Sequence, residues 1–171
     1  MGGGEGMSIV LSIDPGTSLS AYLVMETDDY TIIDKGKVEN DVLIGMVKTG
    51  YFDMLVIEWI QNYGARLIGG KVVGGAGQSV FETCRYVGRI QQIALDMGSK
   101  VELVYRTTIK AHITGKANAN DKQVRSCLLD RYGEKGTKSK PGILYGVNND
   151  MFSALAVATY WVDKEREMRK I

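Results

Sequence analysis

The most informative stretch near the start of the sequence is Ser8-Ile-Val-Leu-Ser-Ile-Asp14-Pro15-Gly16-Thr17. A near-continuous apolar run is typical of a buried strand, and the acid followed by Pro-Gly predicts that the strand stops on a tight turn. The C-terminal edge of such strands is where α/β sheets hold their chemistry, so the Asp14 carboxylate is a candidate site residue. Asp-Pro-Gly also closes ordinary turns, and this stretch alone leaves that alternative open.

Strand and helix signals continue outward from this stretch. Three strand-like segments separated by turn residues predict an antiparallel meander: 8–14, 20–26 and 30–38. A helix with one apolar stripe follows over about 40–49, with Asn40 or Asp41 as its cap and Gly50 at its end.

A second buried run, 52–58, also ends in an acid, Glu58. A strand reached through a helix crossover lies parallel to the strand before it. We therefore expect Glu58 and Asp14 at the same edge of the sheet.

The rest of the chain mixes one long glycine-rich segment with helices. Residues 59–77 contain six glycines and no clear period, which predicts a long functional loop. The other elements are predicted as a helix over 79–97, a strand over 101–105, helices over 107–113 and 120–132, a polar loop over 133–147 and a final helix over 149–169. We expect one α/β domain over 7–171, preceded by a flexible leader or tag remnant over 1–6.

Charge is unevenly distributed along the 171 residues, although the net charge is only +1. Between Tyr105 and Lys140 there are nine Lys or Arg and three acids. This basic half indicates a surface for phosphate, and the alternative is a solvated helix face and loop. The two cysteines lack the spacing of a zinc site, and no apolar run is long enough to predict a membrane span. These features favour a reduced, cytoplasmic protein without a membrane partner.

Three acids fall at element ends that the predicted topology brings together. Asp14 and Glu58 end neighbouring strands, and Asp150 lies in the first turn of the last helix. Hard divalent cations such as Mg²⁺ or Mn²⁺ take carboxylate ligands, and such ions support in-line phosphodiester cleavage. Singly, each acid has an ordinary explanation as a turn, helix-start or surface residue.

The order of these features resembles the RuvC family of Holliday-junction resolvases, nucleases of the RNase H-like superfamily. The resemblance is carried by Asp14-Pro15-Gly16-Thr17, by Glu58, by the basic segment from Thr108 to Val124, and by the ending Ala154-Leu-Ala-Val-Ala158. It covers about 8–161, and the divergent loops are similar to those of a phage-type member.

The resemblance implies a five-stranded mixed sheet, three strands antiparallel and two parallel, flanked by helices. It also implies a homodimer that cuts four-way or branched DNA with Mg²⁺ or Mn²⁺, in the cytoplasm of a bacterial host if phage-encoded. Three of the family's four acids match Asp14, Glu58 and Asp150, which we expect to hold the metal. The fourth position is Ser153, whose hydroxyl is a poorer ligand than a carboxylate. Either this member tolerates a weaker ligand set, or Ser153 was introduced to silence the enzyme.

DNA contacts are expected from side chains near these acids. By resemblance and by their positions at helix starts, Lys110 and Lys122 are expected closest to the scissile phosphate, as catalytic residues beside the acids and Ser153. Trp59 and Tyr63 are candidates for stacking on unpaired bases or for a dimer interface. The full set of expected DNA-binding residues is Trp59, Tyr63, Arg66, Lys110, Lys116, Lys122 and Arg125. The lone histidine, His112, is more often structural in such a setting.

Two other functions are compatible with the sequence. A branched-DNA binding protein with weak or no cleavage is favoured by Ser153. A nucleotide-binding domain of the actin and Hsp70 type also opens with a strand, an Asp and a Gly-Thr turn. That fold needs two copies of the unit to enclose a nucleotide, and this length supplies one.

Overall fold

The structure is a computed structural model of the chain, and it describes residues 8–61 and 64–171. The leader predicted over 1–6 lies outside the described residues. None of the helices in the described part is long and apolar enough to cross a membrane.

The described residues form seven strands and five helices. The strands are β1 (Ile9–Asp14), β2 (Leu19–Glu26), β3 (Ile32–Glu39), β4 (Met54–Trp59), β5 (Ala65–Ile68), β6 (Lys71–Gly74) and β7 (Lys100–Tyr105). The helices are α1 (Asn40–Thr49), α2 (Gln78–Asp96), α3 (Arg106–Thr114), α4 (Asp121–Tyr132) and α5 (Met151–Met168).

Five of the strands make one mixed sheet in the order β3-β2-β1-β4-β7. β1 pairs antiparallel with β2, and β2 pairs antiparallel with β3. On the other side, β1 pairs parallel with β4, and β4 pairs parallel with β7. The predicted architecture of a five-stranded mixed sheet flanked by helices is confirmed.

Alternation along the central strands divides the core into two layers. On β1, Val10 faces a layer built with α3, α4 and α5, whereas Leu11 and Ile13 face a layer built with α1 and α2. Because successive side chains of a strand point to opposite faces, Asp14 belongs to the same face as Val10. By the same rule, Glu58 shares the face of Val56, which also packs in the α5 layer.

One buried polar contact fixes α5 on this face of the sheet. Ser12 is fully buried, and its hydroxyl lies 2.8 Å from the Ala154 carbonyl oxygen and 3.1 Å from the Leu23 carbonyl oxygen. A buried hydroxyl without such partners would be costly, so the contact specifies where α5 lies. It sets the start of α5 directly over the end of β1.

The turn after β1 is held from the start of α1. The Asn40 amide donates to the carbonyl oxygens of Gly16 and Thr17, and the Ser20 hydroxyl donates to Asn40 Oδ1. A Cβ on Gly16 would lie 2.3 Å from the Leu19 carbonyl oxygen, so the turn requires glycine there. The prediction of Asn40 or Asp41 as the helix cap is therefore wrong: the cap position is Glu39, which makes no side-chain cap bond.

Two further expectations need correction. The segment 59–77 is not without regular structure, because β5 and β6 form an antiparallel hairpin within it. The third strand does not begin at Tyr30, which has a φ of 63° and belongs to the preceding turn. A positive φ is incompatible with an extended strand.

Asp163 of α5 ties together three other parts of the chain. Its carboxylate accepts two hydrogen bonds from Arg131 of α4 and one from the Tyr30 hydroxyl, and His112 of α3 lies 2.7 Å away. Burial alone would raise the pKa of Asp163, but these hydrogen bonds outweigh burial and lower it to about 2. His112 is thus part of a structural contact, as expected from the sequence.

We predict that Asp163→Asn lowers the free energy of unfolding by about 2–3 kcal/mol at neutral pH, because it removes a largely buried anion from three donors. The folded pKa lies below the ordinary value of 3.8. The unaltered protein should therefore be more stable than Asp163→Asn above pH 3.8, and this difference in the free energy of unfolding should be lost as the pH falls through about 2. Denaturant melts over a pH series measure both effects. Asp28→Asn, which affects only the exposed pair with Arg169, is the matched control, and equal losses in the two variants would contradict the prediction.

Candidate active site

Two acids lie side by side where parallel strands end. Asp14 is the last residue of β1, and Glu58 is the next-to-last residue of β4. The parallel register pairs Ile13 with Ile57, so the residues that follow are neighbours on the same face of the sheet. Glu58 is only 8% exposed. The sequence-based prediction that these acids share an edge is confirmed.

The pKa of Asp14 is raised by its burial next to Glu58. Burial is the largest cause and the Glu58 carboxylate the second, and together with Asp150 they raise the pKa of Asp14 from 3.8 to about 7. Arg106 and a hydrogen bond with Ser153 act in the opposite direction. Ionisation of Asp14 therefore costs free energy in this setting. A nearby cation would lower that cost.

Glu58 is paired with an arginine from the next strand end. Nη1 of Arg106, the first residue of α3, donates to Glu58 Oε1 at 3.1 Å, and Nη2 donates to Asp121 Oδ1 at 2.8 Å. Burial raises the pKa of Glu58, and Arg106 opposes that rise. The guanidinium therefore bridges one buried acid and one exposed acid.

Asp150 is held by a different cation. It immediately precedes α5 and forms an ion pair with Lys37 of β3. The preceding residue, Asn149, has a φ of 40°, so the chain bends sharply into the helix. Asp150 lines one pocket together with Asp14 and Lys37, and its charge contributes to the raised pKa of Asp14. Asp150 therefore lies near Asp14, and the convergence of all three carboxylates on one metal ion stays a prediction.

Ser153 follows Asp150 by three residues on α5, and residues at that spacing share a helix face. Its side chain interacts with the Asp14 carboxyl. The expectation that Ser153 points at the acids is confirmed. The Ser153 side chain thus lies beside the Asp14 carboxyl.

A cleft of about 400 Å³ opens beside these residues. α3, α4 and the start of α5 supply its walls, together with the end of β4. It is lined by Glu58, Arg106, Ile109, Lys110, Asp121, Lys122, Val124, Arg125, Asn149, Asp150, Phe152, Ser153 and Ala156. The cleft thus carries both acidic and basic side chains, and the basic ones belong to α3 and α4.

The basic residues predicted to contact DNA divide into two groups. Lys110, Lys122 and Arg125 line the cleft, and the Arg125 guanidinium lies 4.8 Å from the centre of the Phe152 ring. The Lys110 side chain is only 17% exposed and donates to the Ala119 carbonyl oxygen at 2.8 Å. Lys116 is exposed on the loop after α3 and does not line the cleft.

The remaining expected DNA contacts lie on or beyond β4. Trp59 is partly buried against the core layer that contains α1 and α2, on the face opposite Glu58. Tyr63 lies outside the described residues. Arg66 belongs to β5, and its side chain also lies outside the described part of the structure.

The sequence did not single out three charged residues of the site. Arg106 was counted only as part of the basic half, and Lys37 and Asp121 were given no role. A usable signal existed for Arg106, because it follows directly after the strand that pairs with β4. Lys37 could not be found this way, since its contact with Asp150 joins residues 113 positions apart.

The acids at this edge are the type of ligand that hard cations such as Mg²⁺ prefer, but they are not grouped closely enough to form a complete metal site. Within residues 8–61 and 64–171, no group of three or more His, Cys, Asp or Glu is close enough to hold a metal ion. Arg106 forms an ion pair with Glu58, and Lys37 forms one with Asp150. Oxygen donors that destabilise one another as anions fit Mg²⁺ or Mn²⁺, which would replace these side-chain cations.

Comparison with known proteins identifies the fold. The Thermus thermophilus RuvC structure matches with a TM-score of 0.63 and 14% identity, over 93% of this chain and 96% of that chain. The chain has a RuvC-type fold. No protein-family model and no curated protein matches its sequence.

Two further solved structures support this conclusion. T. thermophilus RuvC in complex with a Holliday junction substrate matches with a TM-score of 0.61 and 14% identity, over 88% of this chain and 90% of that chain. The yeast mitochondrial Holliday junction resolvase Ydc2 matches with a TM-score of 0.61 and 10% identity, over 91% of this chain and 79% of that chain. At such identities the likeness concerns the RuvC-type, RNase H-like fold.

We predict that Asp14→Asn stabilises the metal-free protein at about pH 8, by on the order of 1–3 kcal/mol. The folded pKa is raised, so ionisation of Asp14 destabilises the fold as the pH rises through about 7. An amide avoids that cost, and the gain should disappear below the ordinary pKa of 3.8, where the carboxyl is protonated in both states. Melts in chelator measure the difference. The exposed substitution Asp96→Asn should change little, and a variant destabilised at about pH 8 would contradict the prediction.

Proposed function

We propose that this chain is a structure-selective endonuclease that binds Holliday junctions or other branched DNA and hydrolyses a phosphodiester bond with a divalent metal ion. The observation that carries the proposal is the pair Asp14 and Glu58, crowded at the ends of parallel strands beside a cleft with a basic wall. The RuvC-type fold adds support, because two proteins that share it are named as Holliday-junction resolvases or were solved with junction substrate.

In this proposal the acidic residues hold the metal ion and the basic residues contact the phosphate. Asp14, Glu58 and Asp150 would hold Mg²⁺ or Mn²⁺, and the bound ion supplies polarisation of the phosphate and activation of the attacking water. Lys110 and Lys122 place positive charge in the cleft, where the phosphodiester gains negative charge as water attacks phosphorus and one ester bond breaks. Arg125 adds a phosphate contact at the cleft wall.

We further propose that the protein acts as a homodimer of the phage type. A junction resolvase must cut two strands, which two copies of one site can do symmetrically. Exposed apolar side chains support self-association: Leu67, Ile68, Val72, Val73 and Phe81. The long divergent loops support the phage-type assignment.

A second function is favoured by one residue. Ser153 interacts with Asp14 at the position where a fourth acid would complete the ligand set. A protein with this substitution would bind branched DNA and cut it weakly or not at all, whether Ser153 is natural or introduced.

Binding should depend on junction shape and on salt. We predict tighter binding to a four-way junction than to linear duplex of equal length, with log affinity falling linearly with log salt. Lys122→Ala should make that slope shallower by about one unit, because one phosphate contact is lost. Lys48→Ala, on the helix that packs against the opposite face of the sheet, is the control for loss of charge alone. Equal affinity for junction and duplex would refute the predicted selectivity.

Cleavage should respond to the fourth ligand position. We predict that Ser153→Asp raises the junction cleavage rate by about tenfold or more and leaves junction affinity nearly unchanged, because a metal ligand stabilises the transition state more than the bound ground state. Cleavage in Mg²⁺ and in Mn²⁺ would be compared with Asp14→Asn as the inactive control. Ser79→Asp, on α2 at the other face of the sheet, controls for the added charge. Brisk cleavage by the unaltered chain with no gain from Ser153→Asp would show that the fourth ligand lies elsewhere.

A further inference from the structure

Arg106 is the one cation of the described site that contacts a buried acid of the strand-end pair directly. Its Nη1 donates to Glu58 at 3.1 Å, and its Nη2 donates to Asp121 at 2.8 Å. The Glu58 side chain is 11% exposed, whereas that of Asp121 is 72% exposed. The guanidinium thus reaches from the cleft surface to the buried acid.

The position of Arg106 follows from the fold. It is the first residue after β7, and β7 pairs with β4 so that Val104 is opposite Glu58 and Tyr105 is opposite Trp59. A side chain just beyond this register reaches Glu58 without any rearrangement of the sheet. The second partner, Asp121, begins α4, so two elements fix the guanidinium.

Arginine is suited to act as a permanent cation at this place. A guanidinium stays protonated, is planar and presents donors on two edges, so it can bind two carboxylates at once. Lys110 lies 3.1 Å from the same Asp121 oxygen and reinforces the anchor. Glu58 therefore faces a cation that no change of pH removes.

We propose that Arg106 is a built-in competitor for the metal ion: it binds Glu58 and must be displaced before a divalent cation can take that carboxylate. This inference rests on the metal-dependent part of the proposed function. Any phosphate that enters the cleft meets Arg106 at its exposed edge and draws it away from Glu58, so DNA in the cleft favours metal uptake. Arg106 is in this sense a positioning residue that acts through Glu58.

Direct measurement of Mn²⁺ binding without DNA tests the competition. The signal of free Mn²⁺ in electron paramagnetic resonance, titrated against protein, gives the dissociation constant. Arg106→Gln should bind Mn²⁺ on the order of tenfold more tightly than the unaltered chain, because a positive charge no longer competes for Glu58. Arg106→Lys keeps the charge and should stay within about threefold of the unaltered chain.

The matched control is Arg169→Gln. It removes the same charge beyond the far end of α5, an 18-residue helix about 27 Å long, and should leave Mn²⁺ affinity unchanged. If Arg106→Gln bound Mn²⁺ no more tightly than the unaltered chain, Arg106 would not compete for Glu58 and the inference would be wrong. Absence of Mn²⁺ binding by every variant would overturn both the inference and the metal-dependent function.

A measurement on the unaltered chain covers the case in which Arg106→Gln does not fold. The arginine Nε–H signal in a nitrogen-proton correlation spectrum, assigned by its absence from Arg106→Lys, should shift when Mg²⁺ is added to saturation. An unchanged signal would contradict displacement. A chain that binds Mn²⁺ and cuts junctions but shows no competition by Arg106 loses only the inference, whereas one that shows the competition without cutting loses only the nuclease assignment.

Discussion

The burial of two neighbouring carboxyl groups, Asp14 and Glu58, is the constraint on which the site depends. Burial and the neighbouring charge raise the pKa of Asp14 to about 7, which means that the fold holds an acid where its anion is unfavourable. Two cations lie next to these acids: Arg106 forms an ion pair with Glu58, and Lys37 forms one with Asp150. Ionisable groups held at a cost in stability are common where proteins carry out chemistry, which is why this edge is the candidate site.

The fold creates this crowding through strand geometry and one buried hydrogen bond. Parallel pairing of β1 and β4 brings the two acids to one edge, and alternation turns both toward α5. The contact of Ser12 with the Ala154 carbonyl oxygen then fixes the start of α5 over that edge, with Ser153 beside Asp14. β7 pairs with β4 and delivers Arg106 from the other side. The position of the cleft therefore follows from the sheet order together with the placement of α5.

The edge shared by Asp14 and Glu58 was predictable because buried strands that end in acids are a local pattern. The five-stranded mixed sheet was expected from the family resemblance. Contacts between distant residues were not predictable, since nothing near Lys37 in sequence points to Asp150. The hairpin of β5 and β6 was missed because glycines at its turn and ends conceal two four-residue strands. Asn40 was mistaken for a helix cap because its role, holding the turn at Gly16, exists only in the folded chain.

The most direct test of a metal site at this edge is anomalous diffraction from a crystal of the unaltered protein soaked in Mn²⁺. We expect an anomalous peak within coordination distance of Asp14 and Glu58 carboxylate oxygens, with the Arg106 side chain moved away from Glu58. A fully soaked crystal with no peak at these acids, or with a peak held only by other residues, would contradict it.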